Sequence, residues 1–112
     1  MKTDYFPVAN SEDIPVGSCK SFDLGGDSSR LRVIVAHLAD GFHAVENRCS
    51  HLDSLLDTSR IYKGRQIACP THCARFDLKT GAAKSAPAFR SLAVFPVRVR
   101  DGRIEVALTK RA

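Results

Sequence analysis

Cys49-Ser50-His51 and Cys69-Pro70-Thr71-His72 place a Cys-x-His and a Cys-x-x-His pair in two separate stretches of a 112-residue chain. Two thiols and two imidazoles can share one metal centre only if the fold brings two loops together. That requirement constrains the architecture more than any other feature of the sequence. The i, i+2 spacing projects Cys49 and His51 from one side of an extended segment. The i, i+3 spacing of Cys69 and His72 does the same across a tight turn, with Pro70 limiting the backbone after the first donor. Soft sulfur and imidazole donors suit zinc as well as iron–sulfur centres. Zinc would take all four in a tetrahedral cage, but zinc fingers usually present a cysteine pair and then a histidine pair. This chain alternates Cys, His, Cys, His.

With 44% hydrophobic residues the chain is long enough for one domain with a real core, and too short for a second catalytic unit. The net charge is +5, yet no run of five or six like charges marks a basic tail. No nucleic-acid-binding motif accompanies the charge, so no nucleic-acid partner is expected. The most apolar stretch, Leu31 to Leu38, is interrupted by Arg32 and His37 and falls far short of the roughly eighteen residues of a membrane span. The first thirteen residues carry Lys2, Asp4, Glu12 and Asp13, with no continuous apolar segment and no twin arginine. A cytoplasmic protein without membrane contact is therefore expected. In a reducing compartment, metal ligation is a better use of cysteines beside histidines than disulfide pairing.

Apolar residues recur with period two, or in short runs bounded by Gly, Pro, Asp and Ser, which predicts strands rather than helices. The clearest unit is Val97-Arg98-Val99-Arg100, Asp101-Gly102, Arg103-Ile104-Glu105-Val106, an Asp-Gly hairpin whose valines should face a core. Further strands are expected near Tyr5 to Ala9, Ser18 to Leu24, Arg30 to Leu38 and Phe42 to Glu46, with turns at Gly25-Gly26-Asp27 and Asp40-Gly41. Ser54 to Ser59 could form a short helical turn, too brief to stand without tertiary support. The pattern predicts a single all-β domain over 1–112. Antiparallel strands from about 1–46 and 86–112 would form its base, with a metal-binding lobe inserted at about 47–85.

The sequence resembles Rieske ferredoxins that serve aromatic-ring-hydroxylating dioxygenases. The resemblance lies in the two donor clusters and in Asp13-Ile14-Pro15-Val16-Gly17, Val45-Glu46-Asn47-Arg48, Ala74-Arg75-Phe76-Asp77 and Thr80-Gly81. It implies a Rieske fold, an antiparallel β-sandwich base bearing a small cluster-binding lobe. It also implies one [2Fe–2S] cluster, with Cys49 and Cys69 on the inner iron and His51 and His72 on the outer iron. Ala86-Pro87-Ala88 resembles the proline-bearing loop that covers the cluster in this family. Respiratory Rieske proteins join their two cluster loops by a disulfide, and the equivalent positions here are Ser54 and Thr71. Those proteins also aim Ser and Tyr hydroxyls at cluster sulfurs, where this chain has Ala74 and Phe76. Without these donors the reduced state is less stabilised, so the potential should fall near the low end of the Rieske range, about −150 mV. Cys73 stands where the family usually has Gly, putting a second thiol beside the second pair.

The resemblance implies a monomeric one-electron carrier rather than an enzyme, with an NAD(P)H-dependent reductase as donor and a terminal Rieske oxygenase as acceptor. Competing readings are a Rieske small subunit of another oxidoreductase such as nitrite reductase, a colourless zinc-binding interaction module, and a redox sensor using Cys73. Arg48, Lys63, Arg65, Arg75 and Lys84 could give the lobe a positive rim for acidic partner surfaces. Cys19, His37 and His43 lack ligand spacing and are expected to be ordinary strand residues. Phe22, Phe42, Phe89 and Phe95 are expected in the core, and Asp53 and Asp57 as capping or solvated turn residues.

Overall fold

A computed structural model describes residues 5–24, 31–47, 56–69, 75–84 and 91–107. Among them are three antiparallel sheets. In chain order the strands are β1 (Tyr5–Asn10), β2 (Cys19–Leu24), β3 (Leu31–Leu38), β4 (Gly41–Glu46), β5 (Asp57–Tyr62), β6 (Gln66–Ala68), β7 (Arg75–Asp77), β8 (Val94–Phe95), β9 (Val97–Arg100) and β10 (Arg103–Ala107). The first sheet runs β1-β10-β9, the second β2-β3-β4-β8 and the third β5-β6-β7.

The middle of β3 explains how the sheets stack. Val33, Ile34, Val35 and Ala36 are all fully buried, so both faces of this strand are covered. Ile34, Ala36 and Leu38 point into a cluster with Val45, Leu56, Ile67, Cys69, Phe76, Leu78 and Leu92. Val33 and Val35 point the other way, toward Ile14, Ala44, Phe95, Ile104 and Val106. The second sheet is thus a middle layer, packed on the first sheet through one face and on the third through the other. Each side chain of this size stabilises the fold by about 1.5–3 kcal/mol when fully buried.

The Asp-Gly hairpin forms as expected. Asp101 and Gly102 take φ of +53° and +75°, the left-handed pair that matches strand twist. Val106 opposite Val97, and Ile104 opposite Val99, set the register. Val106 and Ile104 are buried and Val97 packs against them, but Val99 is 47% exposed, contrary to the expectation that every valine of the hairpin faces the core. Among the described residues β9 pairs in this sheet only with β10, and no strand adjoins its outer flank at Val99.

The helical turn expected over Ser54 to Ser59 is also corrected. Residues 57–59 belong to β5, whose ladder runs from Asp57 opposite Ala68 to Tyr62 opposite Gln66. The register shifts between these two pairs, and the β-branched Thr58 and Ile61 favour extended backbone over a helix. Ser54 and Leu55, like the Gly25-Gly26-Asp27 turn, lie outside the described residues.

The isolated histidines and the third cysteine behave as strand residues. His37 stacks on Phe42 at 4.0 Å between ring centroids and its Nδ1 lies 2.7 Å from the Ile14 carbonyl. His43 Nε2 lies 2.9 Å from Asp40 Oδ1. Cys19 is buried with its Sγ 3.4 Å from the Thr58 carbonyl. Phe95 is in the core, Phe22 and Phe42 pack at its edge, and Phe89 lies outside the described residues. Among the described residues no helix is long and apolar enough to cross a membrane.

Candidate metal centre

Of the four expected donors, Cys69 is described; Cys49, His51 and His72 lie outside the described residues, as do Arg48, Pro70, Thr71, Cys73, Ala74 and Pro87. The positions where those segments leave the sheets are nevertheless well defined. Asp57 pairs with Ala68, and Ala68 pairs with Arg75, so one row of the third sheet crosses the start of β5, the end of β6 and the start of β7. Leu56, Cys69 and Arg75 therefore come to the same end of that sheet. The segment bearing Cys49 and His51 enters there, and the segment bearing His72 begins and returns there. Lys84 N donates to the Arg75 carbonyl at 2.7 Å, so the chain also departs from this end toward Ala86-Pro87-Ala88.

Cys69 is fully buried beside Leu56, Ile67, Phe76 and Leu78. Phe76 is fully buried in the same cluster and brings no hydroxyl. Asn47 is 5% exposed and ties together β2, β3 and the residue before β5. Its backbone N donates to the Arg32 carbonyl at 2.8 Å, its Oδ1 accepts from Leu56 N at 2.7 Å, and its Nδ2 donates to Ser21 Oγ at 2.8 Å.

The turn after β7 is built on Asp77, which is 2% exposed. Its Oδ2 accepts from Arg65 Nε and Nη2, both at 2.8 Å, and its Oδ1 accepts from the backbone N–H of Lys79 at 2.7 Å and of Thr80 at 3.2 Å. Burial alone would raise this carboxyl group's pKa. The two N–H groups and the Arg65 guanidinium outweigh burial and hold it below the ordinary aspartate value. A depressed carboxyl contributes stability above its unfolded pKa, and that stability is lost as pH falls through the folded one. Asp77→Asn should therefore cost about 2–3 kcal/mol at pH 7, the worth of charge-assisted bonds to a buried acceptor. The gap in thermal midpoint from wild type, measured from pH 7 to 3, should begin to narrow below about pH 4 and go on narrowing as pH falls toward the lowered folded pKa. A gap that stays constant through that window would refute the assignment.

Lys79 also reaches back to the second sheet. Its Nζ lies 2.8 Å from Asp40 Oδ2, in the β3–β4 turn. The hydrogen bond from Lys79, followed by that from His43, lowers the Asp40 pKa to about 2. This exposed pair orients the third sheet on the second and adds little stability of its own.

These contacts revise the expected positive rim. Arg65 is held by Asp77, so its charge is offset within the fold. Arg75 lies over the Tyr62 ring at 4.1 Å from the centroid. Lys63 and Lys84 are exposed. Asn47 and Asp77 enter the sequence reading only within stretches that carry the family resemblance, and Lys79 not at all, because no short-range pattern shows that their partners meet.

A family model for the Rieske [2Fe-2S] domain matches residues 4–96. The chain belongs to that family. It is 30% identical over 103 residues to the 3-phenylpropionate/cinnamic acid dioxygenase ferredoxin subunit of Photorhabdus laumondii, covering 92% of this chain and 93% of that one. The fold matches the ferredoxin of carbazole 1,9a-dioxygenase from Nocardioides aromaticivorans IC177, with TM-score 0.81, 31% identity and coverage of 94% and 98%. It also matches a chain in a complex of reduced oxygenase and oxidized ferredoxin of carbazole 1,9a-dioxygenase, with TM-score 0.82, 26% identity and coverage of 99% of each chain. The all-β Rieske fold expected from the sequence is the fold found. A Rieske domain carries one [2Fe–2S] cluster, and the donor set here fits it: two cysteines for one iron and two histidines for the other. A buried Cys69, at the end of the sheet where the other donor-bearing segments enter, agrees with that requirement.

Proposed function

We propose that this chain is a soluble, monomeric, cytoplasmic one-electron carrier that holds its [2Fe–2S] cluster on Cys49, His51, Cys69 and His72. It takes electrons from an NAD(P)H-dependent reductase and passes them to a terminal Rieske oxygenase that dihydroxylates aromatic compounds. The observation that carries this reading is the meeting, at one end of the third sheet, of Leu56, Cys69 and Arg75, which root both donor-bearing segments. The ferredoxin subunit and the ferredoxin–oxygenase complex among its relatives support the choice of partner over a subunit of nitrite reductase.

When bound, the cluster would supply a reversible one-electron change. The chain's own residues do the rest. Cys49 and Cys69 would anchor the inner iron, and the burial of Cys69 among apolar side chains keeps water from that side. His51 and His72 would hold the outer iron as neutral imidazoles, which raises the potential above that of all-cysteine centres. Ala86-Pro87-Ala88 would screen the site. In the proposed division, 47–85 form the cluster lobe on a base of about 1–46 and 86–112. Strands β5, β6 and β7 pair only with one another among the described residues, while the other sheets combine strands from both sides of them. Such a carrier needs weak, rapidly exchanging complexes with small interfaces.

Visible and electron paramagnetic resonance spectra of the purified protein, oxidised and dithionite-reduced, test the reading. The expected result is a Rieske signal with mean g below that of all-cysteine clusters, and a midpoint near about −150 mV. A colourless protein with one zinc ion overturns the cluster. A midpoint above about +100 mV overturns the dioxygenase branch.

A further inference from the structure

Resting on the cluster reading above, we propose that Asn47 is a positioning residue that fixes the separation between the two donor-bearing segments. Asn47 stands two residues before Cys49 and is nearly fully buried. Its backbone is immobilised from both sides: Asn47 N donates to the Arg32 carbonyl, and the preceding Glu46 exchanges bonds with Ala93, N to O at 3.0 Å and Oε1 from N at 3.1 Å. Its side chain then closes the other end of the segment by accepting from Leu56 N at 2.7 Å.

Leu56 adjoins Asp57, Asp57 pairs with Ala68, and Ala68 adjoins Cys69. A short path thus runs from the root of the Cys49 segment through one carboxamide to the neighbour of the second thiol. Asparagine suits the position because one end of its side chain offers an acceptor and a donor together. The Leu56 N–H fixes which atom is oxygen, and Nδ2 is left to donate to Ser21 Oγ at 2.8 Å, which orients the amide from β2. An apolar residue of the same size would leave the buried Leu56 N–H without its acceptor. Aspartate would keep that acceptor and could also accept from the Ser21 hydroxyl.

The test uses the cluster-loaded protein and the variants Asn47→Ala, Asn47→Asp and Ser21→Ala. Ile104→Val, in the opposite core cluster, serves as a control that lowers stability without touching this path. The readouts are the rate at which visible iron–sulfur absorbance is lost to excess chelator, the electron paramagnetic resonance g values, and the thermal midpoint. Asn47→Ala should lose the cluster roughly tenfold or more faster, as removal of groups that orient ligands does, and should broaden the g values. Asn47→Asp should fall between Asn47→Ala and wild type, Ser21→Ala should show a smaller acceleration, and Ile104→Val should lower the midpoint with an unchanged rate. A wild-type rate in Asn47→Ala overturns the proposal, and so does an equal acceleration in Ile104→Val. Should Asn47→Ala not fold, wild-type rates in both Ser21→Ala and Asn47→Asp overturn it. A wild-type protein lacking the two-iron spectrum overturns the cluster reading itself, and this role with it.

Discussion

Cys69→Ala should yield a protein with almost no iron, whereas Cys19→Ala should keep about two irons per chain and its visible colour. Burial does not distinguish these cysteines, since Cys69 is fully buried and Cys19 is 7% exposed. Their places in the fold do. Cys19 begins β2, pairs with Ala36 inside a sheet and turns its Sγ to the Thr58 carbonyl, so it serves as a small apolar side chain. Cys69 follows β6 at the end of the sheet where the donor-bearing segments enter. Losing a buried sulfur at Cys19 should cost about 1 kcal/mol, within the ordinary range of core substitutions. Losing Cys69 removes a ligand, and metal binding to the folded state is itself a source of stability. Iron and acid-labile sulfide assays with thermal melts separate the two outcomes. Full iron content in Cys69→Ala would remove that thiol from the donor set.

The features most legible in the sequence were those set by near neighbours along the chain. The Asp101-Gly102 turn is one: only a left-handed residue pair closes a two-residue hairpin between twisted strands, and the alternation on either side confirms the period. The donor clusters are another, because their chemistry needs fixed short spacings. What escaped depends on layers meeting. Val33-Ile34-Val35-Ala36 has the unbroken apolar character of a strand buried on both faces, but such a run does not name the sheets that cover it. Val99 alternates as correctly as Val97 and is still exposed, because β9 lies at an edge.

The polar contacts around the site were hidden because they depend on which strands pair. Arg65 and Asp77 are twelve residues apart and meet because Gln66 pairs with Asp77 between β6 and β7; Asn47 and Ser21 are twenty-six apart and meet because β2 and the end of β4 both flank β3. Arg65 read as a rim charge and proved to be the partner of a buried carboxylate. Ser54 to Ser59 read as a turn because a six-residue stretch with Leu55 and Leu56 adjacent carries little period of its own. Asp57 and Tyr62 pair with Ala68 and Gln66 of β6, with an irregularity in the register between them, and that pairing lies beyond the stretch itself.

Gly81→Ala should be the most damaging single-methyl change among the described glycines, costing more than about 4 kcal/mol. Gly81 has φ of +77°, and a Cβ built there would lie 2.3 Å from the Leu92 carbonyl oxygen and 3.0 Å from Val94 Cγ2. The backbone conformation alone costs alanine about 1–2 kcal/mol. The clash adds more because the obstructing atom is backbone and cannot rotate aside. Gly81 N donates to the Asp77 carbonyl and Leu92 N donates to the Gly81 carbonyl, each at 2.7 Å, so both sides of the contact are tied. Relief requires Leu92 to withdraw from the cluster it shares with Phe76, Leu78 and Cys69, opening the core beside the candidate ligand. Gly102→Ala provides the control: φ there is +75°, but nothing lies within 4 Å of the added Cβ. Chemical denaturation of both variants isolates the clash, because the conformational cost is common to them. Equal losses at the two positions would show that Leu92 yields freely and that the approach of the 91–94 segment to the β7 turn does not hold this core closed.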